Sequence, residues 1–257
     1  MTAVDTGVDT AGLVARSQSA RRYLVMPAFI IVVALALYLW VSSLELDSIE
    51  QRVLNATVLQ TRLLEHLYLI AWSTVLVILL AVPLGIAATR PATRRLAPLI
   101  VGLGNAGLAV PSLGVIVILA IAFGFFGTRG AIAALVAYAF LPVLRNTIVG
   151  LQQVDEAVIE AGRGMGMTTG AVLRRIELPL AVPVIFAGVR TALVINVGTA
   201  AIAALTNAGG LGFVILQGIN QNRVPIQVVG AVSAALHALT LDHLGGIAEE
   251  RLRPRGL

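Results

Sequence analysis

The residues whose types and spacing most resemble working chemistry lie in one stretch, LQQVDEAVIEAGRGMGMTTGAVLRRIELP, residues 151–179. It sets Gly162, Gly164 and Gly166 behind three carboxylates, Asp155, Glu156 and Glu160. Glycines at such intervals can cradle a phosphate, but a phosphate loop follows a strand and needs a lysine to reach the nucleotide. All 18 basic residues of this chain are arginine, so a Walker-type site is excluded. Cysteine is absent, which removes disulfides, thiol nucleophiles and thiolate metal ligands. His66, His237 and His243 do not form a metal-spaced set. No metal, cofactor or catalytic triad is expected. The stretch reads instead as a contact surface. Asp155 can cap a short helix whose first turn carries Glu156, the glycines punctuate it, a second amphipathic stretch follows, and Pro179 precedes the next apolar run.

The elements that must position this loop belong to a membrane protein. Of 257 residues, 58% are hydrophobic and 12% charged, and the mean hydropathy is +0.93. Soluble domains carry about 25% charged residues, so this chain has too little polar surface for water. Apolar runs cover Tyr23 to Ser43, Leu67 to Thr89, Leu96 to Gly127 with a break near Pro111, Ala131 to Gly150, Leu180 to Leu205, and Pro225 to Leu244. Each is near the roughly 20 residues that cross about 30 Å of hydrocarbon. The first run exceeds the roughly 7–15 residues of a signal-peptide core, so an uncleaved helix is expected. The fold class is therefore all-α, with about six spans.

Charge placement sets the expected topology. Arg16, Arg21 and Arg22 precede the first span; Arg90, Arg94 and Arg95 follow the second; Arg163, Arg174 and Arg175 follow the fourth; Arg251, Arg253 and Arg255 follow the sixth. With six spans all four clusters fall on one side, which the positive-inside rule makes cytoplasmic. Splitting the third run at Pro111 into two full crossings would strand the later clusters outside. One long helix, kinked or broken at Pro111, is expected. The organisation is then a cytoplasmic tail at 1–22, a membrane domain at 23–245 holding the loop 151–179, and a cytoplasmic tail at 246–257. The net charge of +5 is spread over span ends and makes no nucleic-acid patch.

The loop also carries a family resemblance. Glu160-Ala161-Gly162, three residues, Gly166, nine residues, Ile176, one residue, Leu178-Pro179 is similar to the cytoplasmic loop of ATP-binding-cassette importer permeases. Gly162 stands where that family usually has alanine. Val110-Pro111-Ser112-Leu113, Leu141-Pro142-Val143-Leu144-Arg145-Asn146-Thr147, Arg163-Gly164-Met165-Gly166-Met167 and Asn207-Ala208-Gly209-Gly210-Leu211-Gly212 resemble the osmoprotectant branch, which imports glycine betaine, choline and carnitine. The resemblance spans about residues 65–255 and implies a type I importer permease fold in a bacterial inner membrane. It implies three kinds of protein partner, beside the lipid that the composition calls for: cytoplasmic ATPase subunits, a second permease copy or related permease, and an external substrate-binding protein. It also implies that a helix around residues 155–170 docks on the ATPase through Glu160, Ala161, Gly162, Met165 and Gly166, backed by Ile176, Leu178 and Pro179.

Other polar residues in or beside the spans read in two ways each. Pro111 and Ser112 are a packing kink or a pore-lining break. Arg145 and Asn146 snorkel to headgroups or form a gate or subunit contact. Arg190, about 15 Å into its span by helical rise, needs a bundle partner or faces a water path, because a charge at that depth is costly. Asn196 makes an interhelical hydrogen bond or touches solute. Asn207 connects two spans or receives solute. A permease for another small solute, such as an amino acid, is the nearest alternative. A transporter working alone would need inverted repeats and paired intramembrane acids.

Overall fold

The computed structural model describes residues 10–252, with side chains from residue 23 onward. Arg253 and Arg255, the start of the expected N-terminal tail, and the side chains of Arg16, Arg21 and Arg22 lie outside the described residues. The described residues fall into two compact units that part between Leu44 and Glu45. The first holds a single helix, α1 (Thr10–Ser42), so the expected tail at 1–22 is helical from Thr10 and runs straight into the apolar run.

The second unit is all helical among its described residues: α2 (Ser48–Val53), α3 (Ala56–Thr89), α4 (Ala97–Ala109), α5 (Ser112–Phe123), α6 (Gly127–Gln152), α7 (Glu156–Gly164), α8 (Thr169–Val172), α9 (Leu178–Ala203), α10 (Leu211–Asn220) and α11 (Val224–Leu252). Across both units, five described helices are long and apolar enough to cross a membrane, and the α4–α5 pair makes a sixth if it is one span. The short helices α2 and α10 were not expected from the sequence. Asp47 begins α2 with a reciprocal cap. Its carboxylate accepts from Ile49 and Glu50 N–H, while the Glu50 side chain accepts from Asp47 N–H. Asn55 caps α3 by accepting from Val58 N–H at 2.9 Å.

The core sits where α6 packs on α3 and α9. Lipid is as apolar as leucine, so these helices associate through close packing rather than hydrophobic expulsion. Small residues supply the closeness. A β-carbon at Gly85 would meet Thr147 Cβ at 2.7 Å, and one at Gly188 would meet Asn146 Cβ at 2.6 Å. Leu69, Ile116, Leu135 and Val197 fill one part of the interface, and Val77, Leu141, Leu144 and Ala192 another.

The expected break at Pro111 is present and sharper than a kink: α4 and α5 meet at 102°. Pro111 has no N–H to continue the helix ladder. Its φ of −53° and ψ of 140° turn the chain out of helix before Ser112 restarts it. The Tyr138 hydroxyl on α6 donates to the Val110 carbonyl at the corner, giving it a partner inside the protein. At its far end α5 stops on Gly124, at φ +66°.

Candidate functional site

The loop of residues 151–179 is more compact than expected. α6 continues to Gln152, and one helical run covers Thr169–Thr206. Between them stands α7, capped as foreseen by Asp155, whose carboxylate accepts from Ala157 N–H at 2.9 Å. The expected helix over 155–170 stops at Gly164, because Gly166 takes φ +81°, a left-handed conformation that glycine adopts freely. Gly166 N–H donates to the Arg163 carbonyl at 2.9 Å and Met167 N–H to the Gly162 carbonyl at 3.2 Å. That paired pattern is a Schellman stop, and it explains the motif's glycine as a backbone requirement. Thr168 then caps α8 by accepting from Ala171 N–H.

Glu160, Ala161, Met165 and Gly166 are exposed, Met165 by 75%. Gly162 is not: it is buried within its own loop, and a β-carbon there would meet Ile176 Cδ1 at 2.6 Å. The reading of Gly162 as an outward contact is thereby corrected. It lets α7 lie down on Ile176, and Ile176 is the surface that holds α7. Leu178 is half-buried and packs in a cluster with Leu151, Ala181 and Ile185. Pro179 does not precede the span but lies inside the continuous helix. The ladder adjusts just before it with a π turn over Leu173–Glu177, in which Leu178 N–H reaches the Leu173 carbonyl. Pro179 has no N–H to offer Arg175, so the ladder is interrupted there in any case.

Two partners at this end were not foreseen. Glu177, inside the motif, is buried and receives both arms of Arg90, the residue that ends α3. Arg90 Nη1 donates to Glu177 Oε1 at 3.1 Å, and Nη2 contacts Oε2. Arg90 had been read as one of several topology signals. Arg94, Arg95, Arg163, Arg174 and Arg175, read in the same way, are exposed.

Inside the bundle, Arg190 meets Asp242 of α11 with two donors, Nε to Oδ1 at 2.5 Å and Nη2 to Oδ2 at 2.8 Å, while Glu249 lies 3.7 Å from Nη1. Its stem lies along Gly245 and its guanidinium along Gly246, at ordinary van der Waals distance from where a β-carbon would stand. The group opens into a cavity of about 470 Å³ that also includes Thr191 and Val194. Asn196 is fully buried and donates to Ser73 Oγ at 3.0 Å, joining α9 to α3. Asn146 donates to the Pro142 carbonyl one turn back at 2.9 Å and packs on Gly188. Arg145 is exposed and donates to Asn105 of α4 at 2.8 Å. These placements put Arg190, Asn146 and Asn196 in helix–helix contacts.

The end of the bundle away from the loop 151–179 is organised by the turn Asn207–Gly210, with Asn207, Gly209 and Gly210 all at positive φ. Gly210 N–H donates to Glu65 Oε2 at 2.8 Å, and Glu65 accepts from Arg62, whose guanidinium lies 4.0 Å over the Phe213 ring. An open cavity of about 510 Å³ is lined there by Arg62, Glu65, Tyr68, Thr128 and Asn207. Beneath it the rings of His66 and His237 are buried 5.4 Å apart. Outside the membrane, Asp47 pairs with Arg223 at 2.7 Å. The Glu50 N–H leads the contacts that hold the Asp47 carboxyl below its ordinary range.

The family model for the binding-protein-dependent transport system inner membrane component matches residues 81–255. The carnitine transport permease protein OpuCD of Listeria monocytogenes is 38% identical over 201 residues, 78% of this chain and 89% of that one. The osmoprotectant import permease protein OsmW of Salmonella typhimurium is 37% identical over 216 residues, 82% of this chain and 100% of that one. The glycine betaine/carnitine/choline transport system permease protein OpuCB of Bacillus subtilis is 37% identical over 193 residues, 75% and 88%. Among solved structures, the methionine ABC transporter MetNI in inward-facing form has a TM-score of 0.67 at 22% identity, over 76% of this chain and 96% of that one. An amino acid ABC transporter has 0.67 at 17%, over 81% and 100%. At those identities the two structures speak for the fold alone.

Proposed function

The chain belongs to the binding-protein-dependent transport system inner membrane components, and from that premise we propose that it is the permease subunit of an ATP-driven importer for osmoprotectants of the carnitine, choline and glycine betaine class. It forms the translocation path together with a second permease copy or a related permease. ATP hydrolysis resides in a separate cytoplasmic ATPase subunit, and an external binding protein delivers the solute. The observation that carries this reading is α7. A capped, glycine-terminated helix bears an outward face of Glu160, Ala161 and Met165 and rests on Ile176 of the helical run that leads into α9. A flexible methionine on such a face adapts to a groove. Pushing α7 moves α9 at its root, and the bundle can shift between two arrangements.

Both termini are cytoplasmic in this reading, with α4 and α5 together making one crossing. Solute selectivity resides mainly in the binding protein, where aromatic faces hold a quaternary ammonium. The relatives named for carnitine, choline and glycine betaine support the solute class. The test is co-purification of tagged wild type and a Glu160→Ala, Gly166→Leu variant from membranes, with uptake of the three solutes. Wild type is expected to bring an ATPase subunit, and the variant to lose it or to keep it with uptake abolished. A wild-type chain that moves solute with no ATPase attached sinks the proposal.

A further inference from the structure

Glu177 is the most deeply buried carboxylate in the second unit whose partner comes from a distant part of the chain. Its side chain is 4% exposed, and Arg90, 87 positions earlier, is its partner. A buried ion pair is weak evidence for stability, because desolving two charges offsets much of their attraction. Its place in the structure points to another role. Arg90 is the residue on which α3 ends, steadied by its Nε donating to Thr89 Oγ1 at 3.2 Å. Glu177 is the last residue of the π turn, next to Ile176, on which Gly162 and α7 rest. The loop is joined covalently to α6 at one end and, through the π turn, to α9 at the other. Leu173 and Leu178 share an apolar cluster with Leu151 of α6 and with Val82 and Ile86 of α3. The directional polar contact to α3 is the two-pronged one of Arg90 with Glu177.

We infer that Arg90 and Glu177 are positioning residues for coupling: the pair carries displacement of α7 into α3, so that α3 and α9 move as one body. The inference rests on the reading of α7 as the ATPase contact. The path is continuous, running from α7 through Gly162 to Ile176, to its neighbour Glu177, and to Arg90 on α3. An arginine suits the junction because its planar fork fixes orientation as well as distance, which a single ammonium cannot do. Without the pair, a push on the loop reaches α3 only through apolar packing, which fixes no orientation.

The test uses the complete importer in proteoliposomes, permease with its ATPase subunits and binding protein, and reads solute moved per ATP hydrolysed. The solute is whichever of carnitine, choline and glycine betaine the wild type imports. Glu177→Gln is the informative variant, because Arg90 is 23% exposed and can turn to water, so no buried charge is stranded. The variant is expected to retain its ATPase subunits and hydrolyse ATP near the wild-type rate, while solute per ATP falls about ten-fold, the scale of a typical coupling between sites. Arg90→Lys keeps the charge without the fork and is expected to fall in between. The exchange Arg90→Glu with Glu177→Arg is expected to recover much of the loss. Wild-type stoichiometry in both single variants overturns the inference. So does a loss of ATPase subunits that parallels the loss of import and is not relieved by the exchange, since a mere brace behaves that way. If the wild-type chain holds no ATPase at all, the reading beneath the inference fails instead.

Discussion

Gly166, at φ +81°, and Gly162, pressed on Ile176, are glycines for different reasons, and substitutions separate them. Any β-carbon at Gly166 meets the left-handed penalty of about 1–2 kcal/mol whatever the surroundings. Nothing lies within 4 Å of a β-carbon there, so alanine and leucine suffer the same backbone cost. At Gly162 the obstacle is the movable end of Ile176, so alanine is expected to be mild and leucine severe. Limited proteolysis of the loop checks this. Gly166→Ala and Gly162→Leu are expected to speed cleavage between residues 153 and 168 several-fold, and Gly162→Ala to leave it within about two-fold. The sequence carried Gly166 clearly, because its distance from Glu160 and Ile176 is fixed. It did not carry Gly162's surroundings, since the contact with Ile176 exists only after the chain reverses at Met165–Thr168. The Arg90–Glu177 and Arg190–Asp242 pairs were hidden for the same reason. Each joins helices far apart in the chain, and one sequence holds no record of which charges meet.

Among the elements, the α4–α5 corner is the most constrained. Pro111 announced a break, and hydropathy announced apolar helix on both sides, but neither encodes an angle of 102°. That angle follows from the ψ of 140° at Pro111 and from the hydroxyl that Tyr138 brings to the corner. Removing the hydroxyl leaves the Val110 carbonyl without that donor in an apolar setting. Tyr138→Phe is expected to cost about 1 kcal/mol, the usual net value of a hydrogen bond. It is read as a drop of a few degrees in the unfolding midpoint of detergent-solubilised protein. An unchanged midpoint means that water replaces the hydroxyl and the corner is wet. The spans themselves were legible because length and apolarity are local properties; α2 and α10 were not, because ten residues or fewer fall below any membrane criterion.

For the whole molecule the question is which way the bundle faces the two sides of the membrane. Exposed arginines gather at the end bearing Arg94, Arg95, Arg163, Arg174 and Arg175, and the opposite end carries Asp47, Glu50 and Glu65 with their partners. The chain has no cysteine, so single cysteines introduced on the exposed loops report sidedness without background. Cysteines at Arg163 and Arg94 are expected to resist membrane-impermeant thiol reagents in intact cells, and one at Asn222 to react. Labelling at Arg163 but not Arg94 would mean that the α4–α5 pair returns to the side it came from. The π turn at Leu173–Glu177 bears on this arrangement through its residue count. It holds one residue more than an α-helical turn would. Deleting one residue between 173 and 177 would restore regular helix at little local cost. It would also rotate everything before it by about 100° relative to α9, swinging α7 off Ile176 and carrying Glu177 or its replacement away from Arg90. Residues in this segment can therefore be exchanged one for another far more readily than they can be added or lost. The nine-residue interval between Gly166 and Ile176 is a dimension of the machine, kept by geometry even where the side chains within it are free to change.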